Sequence, residues 1–150
     1  MNGFMRAITI LSISFFIQSM RVGNPDRTKL LSQRWKQFGF RANNDKTYHR
    51  VSEQMAKTLQ FRQNGYYEET MNGLNGIGKW RMNKEQTKIG WQFDLYDGLD
   101  LRLLTGYDNE IRLNKRIIRL TPDTLILGDE DYEGPHEKYG HDDWYFTRQK

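Results

Sequence analysis

The chain has 150 residues and no cysteine, which suits one domain that buries about two-thirds of the surface its unfolded form would expose. Disulfides, thiolate metal sites, a cysteine nucleophile and a lipid-modified cysteine anchor are thereby excluded. Its 23 Lys and Arg against 19 Asp and Glu leave a formal charge of +4, but the signs are interleaved from Asp108 and Glu110 through Arg112, Lys115, Arg116 and Arg119 to Asp123, so no cationic run demands nucleic acid as a partner.

Residues 1–19 read as a secretory signal peptide. Met1 to Arg6 carries one positive charge, Ala7 to Ile17 is apolar, and polar residues begin at Gln18, with cleavage expected after Ser19. The apolar stretch is too short to cross a bilayer as a lone helix, which takes about 20 residues. Ile17 is an awkward residue in the cleavage box, which leaves an uncleaved amphipathic segment or a packed first strand as the alternatives. Export implies a secreted or periplasmic location in the cell envelope, with no stable transmembrane anchor after cleavage.

Residues 20–34 form a linker broken by Asn24-Pro25, and Thr28 to Gln33 can make one helical turn. From residue 35 to 150 the chain reads as a single β domain. Trp35 to Arg41 is the first strand; an even register would separate Trp35 from Phe38 and Phe40, so a bulge near Lys36-Gln37 is expected. Asn43 to Ser52 is a polar connection whose His49 is expected to be exposed. Thr58 to Arg62 and Tyr66 to Thr70 are strands joined at Asn64-Gly65, read as a type I′ turn because both central positions then need positive φ.

Alternation continues downstream. Gly78, Trp80 and Met82 share a face, and Ile89, Trp91, Phe93 and Leu95 share another against Lys88, Gln92, Asp94 and Tyr96. Leu99, Leu101 and Leu103 are expected to alternate in a strand, Ile111 to Leu120 to form a long or broken one, Pro122-Asp123 to turn the chain, and Thr124 to Leu127 to return. An acidic loop at Asp129 to Pro135 precedes a closing strand, Asp143 to Arg148. The predicted fold is all-β, an antiparallel meander of about eight to nine strands. Closure into a barrel or half-barrel would remove the unpaired edges of an open sheet, and a sandwich is the main rival.

The order of Leu30-Leu31 before Trp35, Leu59 to Tyr66, Gly76-Ile77-Gly78-Lys79-Trp80, Ile117 to Leu125 and the terminal Tyr145-Phe146-Thr147-Arg148 resembles the small bacterial lipocalin-like domain proteins. The resemblance runs from about Leu30 to Arg148. It implies a secreted or envelope-located calycin-type β-barrel with no general catalytic residue. Two departures stand beside it: Gln33-Arg34-Trp35 lacks the Gly-x-Trp that opens the lipocalins proper, and the lipid-modified cysteine of many similar bacterial domains is absent.

The large residues expected to face inward, and so to form a ligand site if there is a cavity, are Trp35, Phe40, Phe61, Trp80, Trp91, Phe93, Leu101 and Leu125. Burying such a side chain is worth about 1.5–3 kcal/mol whether its neighbour is protein or ligand, so a filled core and an apolar pocket leave the same pattern. No Lys or Arg is placed by alternation inside an apolar face, and no carboxylate clamp is indicated. His136 and His141 with Glu137, Asp142 and Asp143 offer metal donors, but in a Gly/Pro-containing loop without the spacing of a calcium site they read as a solvated acidic segment. No metal and no cofactor is expected.

Catalytic signatures are lacking. Ser32 and Ser52 have no Gly-x-Ser-x-Gly context, the neighbours Glu68-Glu69 and Asp142-Asp143 would face opposite sides of a strand, and Gly73, Gly76 and Gly78 lack the helix and Lys-Ser/Thr of a phosphate loop. The expected function is non-catalytic binding of a small apolar molecule. The alternative is an accessory protein-interaction module of the envelope, suggested by Tyr66, Tyr96, Tyr107 and Tyr132 among charged residues. A hydrolase or isomerase would require polar residues that converge only in the fold, inside the barrel mouth.

Overall fold

A computed structural model describes residues 26–42, 47–108, 110–129 and 142–150. The signal-peptide expectation for residues 1–19 falls outside them, as do Tyr132, His136 and His141.

One short helix, α1 (Arg27–Leu31), precedes the sheet. Asp26 caps it, its carboxylate accepting from the Thr28 amide at 3.0 Å, which satisfies a helix-end donor that has no partner within the helix. The Ser32 hydroxyl closes the other end on the Thr28 carbonyl at 2.7 Å. Leu31 is fully buried, and its carbonyl accepts the Trp35 indole N–H at 2.9 Å. The helix thus seals the end of the sheet from which the first strand departs.

Ten antiparallel strands follow among the described residues: β1 (Arg34–Arg41), β2 (His49–Arg50), β3 (Thr58–Phe61), β4 (Tyr66–Met71), β5 (Leu74–Met82), β6 (Lys88–Tyr96), β7 (Leu99–Asp100), β8 (Lys115–Leu120), β9 (Thr124–Asp129) and β10 (Asp143–Arg148). They form one sheet. Its path runs β10-β9-β8-β6-β5-β4-β3-β1, and β10 pairs again with β1, so the sheet is ring-like, with β2 added beside β1 and β7 beside β6. The ring is thinnest between β6 and β8, which share only the pairs Lys88–Arg116 and Ile89–Lys115.

Three irregularities decide which residues face the interior. In β1, Gln37 faces Phe146 and Gly39 faces Tyr145, so Phe38 is the extra residue. This bulge lies just beyond the expected Lys36-Gln37. It brings Trp35 and Phe40 onto one face and turns Phe38 out, 41% exposed. The same offset makes Asp94 the extra residue of β6 opposite β5 and Ile118 that of β8 opposite β9.

Two hairpins use the turn chemistry of positive φ. Asn72-Gly73 (φ 51 and 78) and Asp97-Gly98 (φ 47 and 82) take it at both central positions. Asn64-Gly65 does not, because Gly65 alone has positive φ. The Gly65 amide donates to the Arg62 carbonyl and the Arg62 amide to the Tyr66 carbonyl, both at 2.9 Å, which is the longer type I loop ending in a left-handed glycine.

Two predicted strands are shorter than expected. After β7 the chain turns into a 3₁₀ helix, Leu101–Leu103, because the Asp100 carboxylate caps it by accepting the Arg102 amide at 3.0 Å. Such local side-chain bonding competes with the ladder, and Leu103 ends 83% exposed. The strand expected from Ile111 begins only at Lys115, since residues 111–113 cross over β6 at Gly90. Arg81, opposite Gly90, donates to the Ile111 carbonyl at 2.7 and 3.0 Å and holds that crossing.

The interior is aromatic. Trp35, Phe61, Tyr67 and Phe146 are essentially inaccessible, together with Leu31, Leu59, Ile89, Leu125 and Leu127. Phe61 meets Tyr67, Trp80 and Trp91 at ring-centroid distances of 5.1, 5.4 and 5.9 Å, within the range of favourable aromatic pairs.

Candidate functional site

Directly opposed residues of antiparallel strands share a face. Following the interior face one step past the core on each strand leads to polar residues at the end of the ring remote from α1. Glu69 lies two residues beyond Tyr67 and opposite Leu59. Lys115 lies two residues before Ile117, opposite Ile89 and Asp129. Trp144 lies two residues before Phe146, opposite Leu127 and Phe40.

These residues meet. Lys115 forms a close ion pair with Asp129, and its ammonium stands 4.0 Å from the centre of the Trp144 ring. The Lys57 ammonium lies 4.7 Å from the same ring and 3.7 Å from a Glu69 oxygen. Both lysines are within cation–π reach of one indole. The Tyr67 hydroxyl donates to Glu69 at 2.5 Å, and Asp129 accepts the Asp142 amide at 3.3 Å. The reading that no Lys is carried inside an apolar face is therefore corrected: alternation across the bulged β8 places Lys115 on the interior side.

Environment tunes these groups. Burial is the largest influence on the Lys115 ammonium and, with the charge of Lys57, pushes it down to about 8, while Asp142 acts in the opposite direction. Burial likewise pushes the Tyr67 hydroxyl well above its usual range, and the adjacent Glu69 carboxylate adds to that shift. Around the charged layer, Trp91, Phe93, Tyr96 and Trp144 are only half-buried, with Phe93 against Tyr96 at 5.3 Å and Tyr67 against Trp91 at 5.2 Å. The arrangement presents aromatic faces, two amines and two carboxylates at one end of a closed sheet. It can hold an apolar body and offer donors or a partly deprotonated amine to a polar group.

The eight inward residues expected from sequence divide. Trp35, Phe61, Trp80 and Leu125 belong to the buried core, and Trp91 and Phe93 pack at its margin. Phe40 shares the face of Trp144 but lies outside that cluster, stacked on His49 at 5.1 Å. Leu101 sits in the 3₁₀ turn, apart from the others, because the Asp100 cap ends the strand before it. His49 is half-buried rather than exposed, since β2 pairs it with Phe40. Of the tyrosines proposed for a partner, Tyr66 is exposed, whereas Tyr96 is half-buried and the half-buried Tyr107 donates to Asp94 at 2.6 Å. The residues that sequence reading missed, Lys57, Tyr67, Glu69, Lys115, Asp129 and Trp144, had a signal: extending each apolar alternation by one step reaches five of them, all but Tyr67.

An open groove of about 600 Å³ lies on the outer surface, lined by Lys36, Phe38, Tyr48, Arg50, Glu53 and Ala56 among others. There the bulged Phe38 joins Tyr48 and Tyr145 in an aromatic triad with centroid distances of 5.4–6.2 Å. Among the described residues no helix is long and apolar enough to cross a membrane. No family model matches the chain, and neither a curated protein nor a solved structure is significantly similar to it.

Proposed function

We propose that the chain is a non-catalytic binding protein, an exported lipocalin-like barrel that takes a small apolar molecule at the Trp144 end of its ring. One observation supports this above the others: at the α1 end Leu31 and Trp35 are fully buried, while at the opposite end Trp144, with the Lys57 and Lys115 ammoniums against its ring, is half-buried, as are Phe93 and Tyr96. Half-exposed aromatic faces at one end of a closed sheet are what an apolar ligand would cover. Deep in the ring the aromatic side chains pack on each other, which favours a shallow cup over a central cavity.

Saturable quenching of tryptophan fluorescence by an apolar alcohol such as 1-decanol tests the reading. Binding that is lost in Trp144→Ala, with unfolding still cooperative, is the expected result; a linear, non-saturating response overturns it. Native mass spectrometry of the chain recovered from the periplasm tests export separately, since an intact Met1 contradicts the signal peptide.

The accessory-module reading is supported by a different observation, the outward triad of Phe38, Tyr48 and Tyr145 beside the 600 Å³ groove. Aromatic residues are enriched at interface hot spots. A protein that co-purifies with the wild type and is lost in Phe38→Ser favours it.

A further inference from the structure

We propose that Lys115 captures a carbonyl: its amine condenses with the aldehyde group of an apolar molecule lying against Trp144 and holds it as an imine. The inference deepens the binding reading and rests on it, because the aldehyde must first be seated at the Trp144 end.

The geometry is that of an activated amine. A lysine becomes nucleophilic near neutral pH when it is desolvated or placed beside another cation, and Lys115 has both conditions. Its side chain is only 13% exposed, its backbone is paired opposite the fully buried Ile89, and Lys57 approaches the same Trp144 ring. Among the described residues the charged groups around it are Lys57 ahead of β3, Glu69 on β4, Asp129 on β9 and Asp142 ahead of β10, while β6 sets Ile89 opposite it. Glu69 is engaged by Tyr67 and Lys57, which leaves Asp129 as the direct counter-ion of Lys115. Burial and Lys57 together bring the amine to about 8, so a useful fraction is unprotonated at neutral pH.

The step balances within this set. The Lys115 ammonium gives a proton to Asp129, and the nitrogen lone pair forms a bond to the carbonyl carbon as the C=O π electrons move to oxygen. The resulting carbinolamine loses that oxygen as water, with one proton from nitrogen and one returned by Asp129. No oxidant or reductant is consumed. If the imine is protonated, its positive charge takes the place of the ammonium against Asp129, so the ion pair survives the chemistry. The half-buried Trp144 ring, 4.0 Å from the ammonium, is positioned to lie along the alkyl body.

Decanal with cyanoborohydride, which reduces the imine to a stable amine, tests the proposal on the full chain. The expected product carries one decyl group, mapped to Lys115 and formed about tenfold faster than on the exposed Lys84. Its rate should rise with a midpoint near pH 8, following the amine. Lys57→Met should shift that midpoint upward and slow trapping at neutral pH, a change that a purely structural role for Lys57 would not produce. Lys115→Arg retains the charge facing Asp129 and should abolish the adduct; Lys115→Met should do the same. Adducts spread over exposed lysines, or an unmodified Lys115 in protein that still binds 1-decanol, overturn carbonyl capture and leave the binding reading standing. Absence of both adduct and decanol binding overturns the two together.

Discussion

Tyr67 and Glu69 stand two residues apart on β4, and inside the ring the Tyr67 hydroxyl donates a 2.5 Å hydrogen bond to the Glu69 carboxylate. Both face the interior because the side-chain period of a strand is two, and both are buried. The phenol satisfies a carboxylate that would otherwise lose its hydration, and Lys57 supplies a partly compensating charge at 3.7 Å.

Tyr67→Phe removes this donor and leaves Glu69 under-satisfied. The expected cost is about 1–3 kcal/mol, read as a lower urea midpoint at unchanged slope. Tyr67 also carries an alkaline signature. Its folded-state pKa is raised by burial first and by Glu69 second, so its contribution is fully present below the unfolded value of about 10 and is lost as pH rises above that toward the folded value. Alkaline stability curves should therefore fall less steeply above about pH 10 in Tyr67→Phe than in wild type; parallel curves would contradict the assignment.

Lys115 has the opposite sign. Its folded pKa lies near 8, below its ordinary 10.5, so between these values the unfolded chain binds more protons than the native one. Stability should rise with pH across that window, with the full cost of the buried charge felt below 8. Lys115→Met should flatten this segment of the curve in buffered chemical denaturation, and a slope unchanged by the substitution would sink the prediction.

Sequence alternation marks Trp91 as a core residue whose truncation to Ala would cost about 3–5 kcal/mol. The structure moves that expectation to Trp35, which is fully buried and bonded through its indole N–H to Leu31 at 2.9 Å. Trp35→Ala should cost about 3–5 kcal/mol, whereas the half-buried Trp91 should fall below about 3. Equal losses in thermal unfolding would mean that Trp91 is as enclosed as Trp35.

Two glycines separate backbone from side-chain crowding. A Cβ on Gly78 would meet the Gln92 carbonyl and lie 2.8 Å from the Phe93 Cα, at the Asp94 bulge. Neither can move without disturbing the β5–β6 ladder, so Gly78→Ala should cost about 1–3 kcal/mol or more. The atoms nearest a Cβ on Gly39 would be those of the Tyr48 ring, which is exposed and whose hydroxyl donates to the Phe38 carbonyl at 3.1 Å. That ring can swing away, and Gly39→Ala should cost well below the range for Gly78. A reversed order by equilibrium denaturation would contradict this packing.

The all-β class, the antiparallel connections and most of the core were legible in the sequence because they depend on local pattern. Leu59 with Phe61, Gly78 with Trp80, and Ile89 with Trp91 keep a period of two that only a strand with one face toward the interior satisfies. That β1 carries a bulge was legible too, since Trp35 and Phe40 cannot share a face without one extra residue, but its place was not: it falls at Phe38 rather than Lys36-Gln37 and turns Phe38 out. Leu101 was misread because a single capping carboxylate, Asp100, outweighs an alternating leucine pattern over so short a segment.

What the sequence by itself determined, then, is which residues of each strand look inward up to its bulge; beyond the Asp94 bulge it is Tyr96, not the expected Leu95, that packs on Phe93. Only the tertiary structure decided which ends of those strands come together. The pairing of β1 with β10 joins positions more than 100 residues apart, and the bulges at Phe38, Asp94 and Ile118 set how far each strand is offset from its neighbour. Glu69, Lys115, Asp129 and Trp144 each sit one step past an apolar run, unremarkable along the chain. Ring closure brings them to a single end, where burial and mutual charge give them properties that none has alone.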